Sequence, residues 1–362
     1  MVSDSHETAT VGDEQNLVRF LEDERFHQTF TIPPIPGRQR PLTVTYCDYG
    51  YRNADEPQRE HVLLFCGPLQ GSRFLQLGKD SVAKKHRVRI IHPDRPGFGG
   101  TSEVDARDRV RVWLEIVPAL LEHLGIQHVA IVCHSGGTVY ALNTLLYLRH
   151  LLHPTHPYIA ICCPWVHPSQ SGSSLMSMAN ILPDGLVGSF SGVSRFITTT
   201  LGPVGVLFKG ESYLAPGVDV DAVKFEAKLW PLLLKRAYSE NVQGLGQEAL
   251  LLLKRTEHPE YWGSWVDYDR LVPLLADAER ALGANAPKDA SLLKVDVFYA
   301  ESDNMIGTGR GPEYFDNCWR LEQRGDKIQY SSVVVPKTNH DGILDLRYGV
   351  AERVFQTISD SS

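Results

Sequence analysis

The sequence predicts an α/β fold in which a mostly parallel central sheet is flanked by helices. Two observations predict it. Short apolar, β-branched runs alternate with helical patterns through the first half of the chain. These runs are apolar almost throughout, as strands buried on both faces of a parallel sheet are. The alternation stops between about Val166 and Ala290 and resumes at Lys294, so a large helical insertion is expected late in the sheet.

Strands are expected, in order, at 42–47 (LTVTYC), 61–65 (HVLLF), 87–92 (RVRIIH), 128–133 (HVAIVC), 158–163 (YIAICC), 294–299 (KVDVFY) and 331–335 (SSVVV). Between them, Val110, Trp113, Leu114, Val117, Leu120, Leu121 and Leu124 follow helical spacing. Pro118 should kink that helix and Gly125 should stop it. The stretch 138–152 is apolar nearly all round, as a helix packed against a sheet should be. Ile343, Leu346, Val350, Val354 and Ile358 form one face of a final helix. The expected division is an acidic, frayed tail over 1–16, a core over 17–165, a helical cap or lid over 166–290, and the rest of the core over 291–362. No internal repeat is visible.

Composition narrows the function. Of 362 residues, 43% are hydrophobic and 22% charged, which is ordinary for a globular chain large enough to bury a core without staples. The net charge of -7, from 36 Lys+Arg against 43 Asp+Glu, is unclustered and argues against a nucleic-acid partner. Cysteines at 47, 66, 133, 162, 163 and 318 form no CxxC pair and no zinc spacing, so neither a metal nor another cofactor is expected. Most lie in apolar runs, as buried reduced thiols do. No signal peptide is visible at the polar start. The window 181–208 is apolar but broken by Asp184, Arg195, prolines and glycines, so it reads as a lid or interfacial segment rather than a transmembrane helix. A cytoplasmic location is the expectation; oligomeric state is not encoded in these patterns.

The chemistry concentrates where the run HVAIVC meets His134-Ser135-Gly136-Gly137 and then a helix. A serine on such a strand-to-helix turn is pushed above the sheet with its hydroxyl exposed, and its neighbours two residues away must be small. Gly137 satisfies this; Cys133 stands on the other side, where glycine is usual. The helix adds its N-terminal dipole, and the Gly136 amide supplies one oxyanion donor.

Cys133-His134-Ser135-Gly136-Gly137, together with Asp94-Arg95-Pro96-Gly97-Phe98-Gly99-Gly100-Thr101-Ser102, resembles the α/β-hydrolase-fold superfamily in its serine-nucleophile branch with an inserted helical cap. The resemblance extends over about residues 42–358. It implies a serine, acid, histidine order along the chain. His340, after SSVVV, stands where the family places its histidine, and Asp303, after KVDVFY, matches the acid, with Glu301 as the nearest competitor. The glycine-rich run is implied to be a structural loop held by Asp94.

The second oxyanion donor is implied to lie after HVLLF, in Cys66-Gly67-Pro68-Leu69-Gln70. Proline has no N–H to give. Leu69 shifted into the donor position, the Gln70 side chain, or a water are the alternatives. Aromatic residues of the cap, among them Trp230, Tyr261, Trp262, Trp265 and Tyr268, either line a pocket or form the cap's own core. Gln70, His134, Trp262 and Trp265 are the substrate-binding candidates, His134 being equally readable as structural. No Lys or Arg cluster adjoins the motifs, so the expected substrate is a moderately apolar carboxylic ester, lactone or thioester, cleaved through an acyl-enzyme. The alternatives are a ligand-binding protein or receptor that kept the pocket and lost turnover, and an interaction protein using the cap surface.

Overall fold

The computed structural model of the chain describes residues 14–189, 213–255, 262–283 and 292–360. Eight strands form one sheet: β1 (Gln28–Ile32), β2 (Leu42–Gly50), β3 (His61–Cys66), β4 (Val88–Pro93), β5 (Ala130–His134), β6 (Tyr158–Cys162), β7 (Leu293–Ser302) and β8 (Ile328–Asn339). Their spatial order is β1-β2-β4-β3-β5-β6-β7-β8. From β4 to β8 every pairing is parallel, whereas β1–β2 and β2–β4 are antiparallel.

The central strands are apolar throughout because both faces are covered. Along β5, Ile131 and Cys133 belong to one core and Val132 to the other. The first face is covered by α1 (Arg109–His123) and α2 (Gly137–Tyr147). Helix α1 runs through Pro118 unbroken and ends where Gly125 takes φ 66°. Helix α2 stops at Tyr147, short of the expected 152, and a 3₁₀ turn (Arg149–Leu151) follows.

Among the described residues between β6 and β7, regular structure is helical. Short helical segments (Pro168–Ser171, Ser174–Ala179 and Asp184–Val187) precede α3 (Val220–Ser239), α4 (Gly244–Leu252) and α5 (Tyr268–Gly283). Helix α3 lies over the 3₁₀ segment Arg73–Lys79 on the second face. Helix α5 puts Leu271, Val272 and Leu275 into the first core, so the inserted segment also contributes a helix to the flank of the sheet. Then come α6 (Arg310–Cys318) and α7 (Val350–Ser359). The final helix begins later than its apolar face suggested. Ile343 and Leu346 are buried but precede it, because Gly349 at φ 72° closes a 3₁₀ turn (Leu346–Tyr348) first.

Residues 14–21 are helical, so the expected tail is shorter than 1–16; its remainder lies outside the described residues. Most of the window 181–208 and Tyr261 lie outside them as well. No helix among the described residues is long and apolar enough to cross a membrane.

Candidate active site

Ser135 follows β5, Asp303 follows β7 and His340 follows β8, so all three stand at the carboxyl end of the parallel strands, where open α/β sheets bind ligands. Ser135 takes φ 52°, a left-handed conformation that a non-glycine residue adopts at a cost. The turn closes tightly enough that a Cβ on Gly137 would overlap the Cys66 carbonyl oxygen. Cys133 fits because its side chain is turned into the sheet core, with Sγ 3.9 Å from Thr138 Oγ1.

The three side chains form one chain of hydrogen bonds. His340 Nδ1 donates to Asp303 Oδ2 at 2.8 Å, which leaves the Nε2 lone pair to accept from Ser135 Oγ at 2.8 Å. Asp303 Oδ1 accepts from the amides of Met305 (2.8 Å) and Ile306 (2.9 Å). Burial pushes the Asp303 carboxyl up, but the His340 charge, its hydrogen bond and the two amides outweigh that and hold it below the usual value. Burial likewise disfavours the His340 cation; the charge and hydrogen bond of Asp303 overcome it and raise His340 above an ordinary histidine. Glu301 is exposed and accepts from the Lys337 amide instead.

His134, a substrate-contact candidate, is buried and structural. Its Nε2 donates to the His340 main-chain carbonyl at 2.9 Å, and burial foremost pushes its pKa down to about 3, so it stays neutral. Trp262 and Trp265 make no hydrogen bond or ring contact with Ser135, Asp303 or His340 among the described residues. Both are fully buried in the first core: Trp262 Nε1 donates to the Leu251 carbonyl (2.7 Å) and Trp265 Nε1 to Asn143 Oδ1 on α2 (3.0 Å). Their rings continue through Tyr268 and Phe315 to Trp319. Both indoles are thus packed with their N–H satisfied by protein, as buried tryptophans usually are.

The loop after β3 is held from two directions. The Leu69 nitrogen lies 3.5 Å from where a Cβ on Gly136 would stand, so the two backbones face one another beside Ser135. Among the described residues neither the Leu69 nor the Gly136 amide donates to another group. On the far side, the Arg95 guanidinium donates to the carbonyls of Gly67, Pro68 and Leu69. Gln70 turns its Oε1 to the Ser72 amide (3.0 Å), and its buried Nε2 has no partner among the described residues.

Arg95 is itself held. Its Nε donates to Glu248 Oε1 on α4 at 2.9 Å, an oxygen shared with Arg109 (2.6 Å) and the Tyr140 hydroxyl (2.7 Å). Burial works against the Glu248 anion, but the two guanidinium groups more than offset it and lower its pKa. At the end of the same helix, the Leu252 side chain lies over Gly136. Its carbonyl accepts from Trp165 Nε1 (3.0 Å), while the Trp165 amide donates to the Ser135 carbonyl (3.2 Å). The glycine-rich loop is held through Thr45: Asp94, fully buried, accepts from Thr45 Oγ1 and from the Arg73 amide and guanidinium, Thr45 Oγ1 accepts from the Gly100 amide (3.0 Å), and Gly97 and Gly99 take φ 78° and 54°.

The model of the alpha/beta hydrolase family matches residues 63–353, which is most of the chain. The chain belongs to the alpha/beta hydrolase family. Solved structures share this hydrolase fold at low identity. The enol-lactonase from Burkholderia xenovorans LB400 superposes with a TM-score of 0.53 at 11% identity, covering 88% of this chain and 96% of that one. A carboxylesterase of Nitrososphaera gargenis gives 0.54 at 13%, covering 92% and 98%. An esterase from Thermogutta terrifontis gives 0.52 at 15%, covering 92% and 97%. No curated protein matches the chain.

Sequence reasoning missed Glu248, Trp165, Leu252 and the role of Arg95. Arg95 stands inside the quoted glycine-rich run, and Glu248 is the one acid in the apolar helix Gly244–Leu252. A lone carboxylate in such a helix is a signal for a buried cationic partner.

Proposed function

We propose that this member of the alpha/beta hydrolase family is a serine hydrolase that cleaves a moderately apolar carboxylic ester, lactone or thioester through an acyl-enzyme on Ser135. The observation that carries the reading is the unbroken Ser135–His340–Asp303 chain, with both links at 2.8 Å, on a serine held at φ 52°. Such a nucleophile is weak until a base takes its proton.

His340 Nε2 accepts the Ser135 proton as Oγ attacks the carbonyl carbon. Asp303 keeps the imidazole in the Nδ1–H tautomer and stabilises the cation that forms. The tetrahedral oxyanion is received by the amides of Gly136 and Leu69, with the Gln70 Nε2 as a further donor beside them. His340 returns the proton to the leaving alcohol or thiol; water then attacks the acyl-enzyme by the same route. Within the inserted segment 166–290, helix α4 acts as part of the cap, with Leu252 as its apolar contact over the site. The lactonase and esterases of similar fold support an acyl substrate. Six buried, unbridged cysteines suit a reducing, cytoplasmic setting.

Labelling with a fluorophosphonate, read by intact mass, tests the reading. One phosphonyl adduct on the wild type and none on Ser135→Ala is the expected result. A folded wild type that takes no adduct overturns it in favour of a ligand-binding protein without turnover.

A further inference from the structure

Directly after β6, Cys163 takes φ 45°, and its amide donates to the Phe298 carbonyl at 2.8 Å. This left-handed turn is costly for a side chain with a Cβ, and it sets the buried Cys163 thiol beside the acid and base of the site. A thiol sulfur, a carboxylate oxygen and an imidazole nitrogen of Cys163, Asp303 and His340 lie within 4.8 Å of one another. Among the described residues it is the one group of three or more His, Cys, Asp and Glu that comes so close. The catalytic steps above make no use of Cys163.

We propose that Cys163, Asp303 and His340 form an inhibitory site for a borderline-soft divalent cation, Zn²⁺ above all. The ligand set selects the ion. Sulfur and nitrogen donors suit Zn²⁺, whereas Mg²⁺ and Ca²⁺ need oxygen cages. One thiolate and one carboxylate neutralise the two charges of the ion, which matters in a buried site. Burial raises the thiol pKa of Cys163, so it is inert on its own; a coordinated thiol is deprotonated outright. In a tetrahedral zinc site the donors stand about 3.4–3.6 Å apart, so the widest pair closes by roughly 1 Å on binding.

The proton balance explains the inhibition. The metal takes the Nδ1 lone pair of His340, and the proton of Nδ1 moves to Nε2. Cys163 loses its proton to solvent, so one proton is released per ion bound. His340 is then a neutral imidazole with N–H toward Ser135, and no lone pair remains there to accept the serine proton. The inhibitory effect rests on the hydrolase reading above; the binding does not.

Co²⁺ is the spectroscopic probe and Zn²⁺ the competitor, both incubated long enough to reach a buried site. With the metal-free full chain, Co²⁺ is expected to give a thiolate-to-cobalt charge-transfer band and the ligand-field bands of a tetrahedral ion, both removed by Zn²⁺ and absent in Cys163→Ala. Zn²⁺ should suppress p-nitrophenyl ester turnover of the wild type, while Cys163→Ala keeps its turnover and loses Zn²⁺ affinity by more than the ~10–100-fold typical of a lost outer-shell partner. Cys163→Ser serves the same comparison should the alanine variant fold poorly. No thiolate band on the wild type, or equal Zn²⁺ inhibition of wild type and variants, overturns the site. A thiolate-to-cobalt band on a protein whose metal-free form neither labels with fluorophosphonate nor turns over ester would leave the metal site standing and overturn the hydrolase reading instead.

Discussion

Glu248 Oε1 accepts from Arg95 Nε at 2.9 Å across 153 residues of sequence, and through that one bond the segment inserted between β6 and β7 holds the loop that carries Leu69. Arg95 spends its other nitrogens on three successive carbonyls of that loop. With the carbonyls fixed outward, the Leu69 amide is left facing Gly136.

Glu248→Ala should therefore destabilise the fold by about 3–5 kcal/mol, since it strands two guanidinium groups in the interior. Urea unfolding measures this. Glu248→Gln keeps the shape and one acceptor, and should unfold closer to the wild type while kcat falls by up to ~10²-fold with KM little changed. Equal losses of kcat and of stability in the two variants would make the contact structural only.

The pH profile of kcat/KM follows from the direction in which His340 is shifted. In the proposed mechanism His340 must be neutral to act as base, and Asp303 raises its pKa above the ordinary 6.5. Activity should thus rise with pH through a limb lying above that value. Asp303→Asn removes the charge that raises it, so the limb should move down while kcat drops by ~10⁴-fold. A limb that stays in place in the variant would deny Asp303 this role.

Trp265→Phe removes the N–H bonded to Asn143 and leaves a polar atom unpaired in the core. A loss of about 1–3 kcal/mol in thermal or urea unfolding is expected. KM for a series of p-nitrophenyl esters should not move. A KM shift that grows with acyl length would return this residue to the substrate pocket.

Gly137→Ala tests the turn itself. Its Cβ would meet the carbonyl oxygen of Cys66, a backbone atom that cannot step aside alone. The cost should be about 1–3 kcal/mol by unfolding, with loss of fluorophosphonate labelling. Full labelling would mean that the turn is looser than described.

Much of this was readable from sequence because it is local. Apolar runs placed β3 to β8 within a few residues, and a serine between a strand and a glycine pair marked the turn. Periodicity cannot tell direction, so the antiparallel pairing of β2 was not visible, and the short β1, with Thr29 and Thr31 on its open side, carried too weak a signal. Apolar spacing from Ile343 onward ran into the last helix, although Gly349 divides the two. The cap aromatics read more readily as core than as pocket, but which indole belongs where depends on the partner of its N–H, and spacing does not carry that. The Arg95–Glu248 pair joins residues whose spacing carries no period at all.

One consequence of the His134 hydrogen bond concerns motion. His134 is covalently next to Ser135 and holds the main chain of His340 at 2.9 Å. When the ends of β5 and β8 drift apart with thermal fluctuation, the residue before Ser135 draws the backbone of His340 along with it. Ser135 and His340 are thereby tied through the backbone as well as through the bond between their side chains.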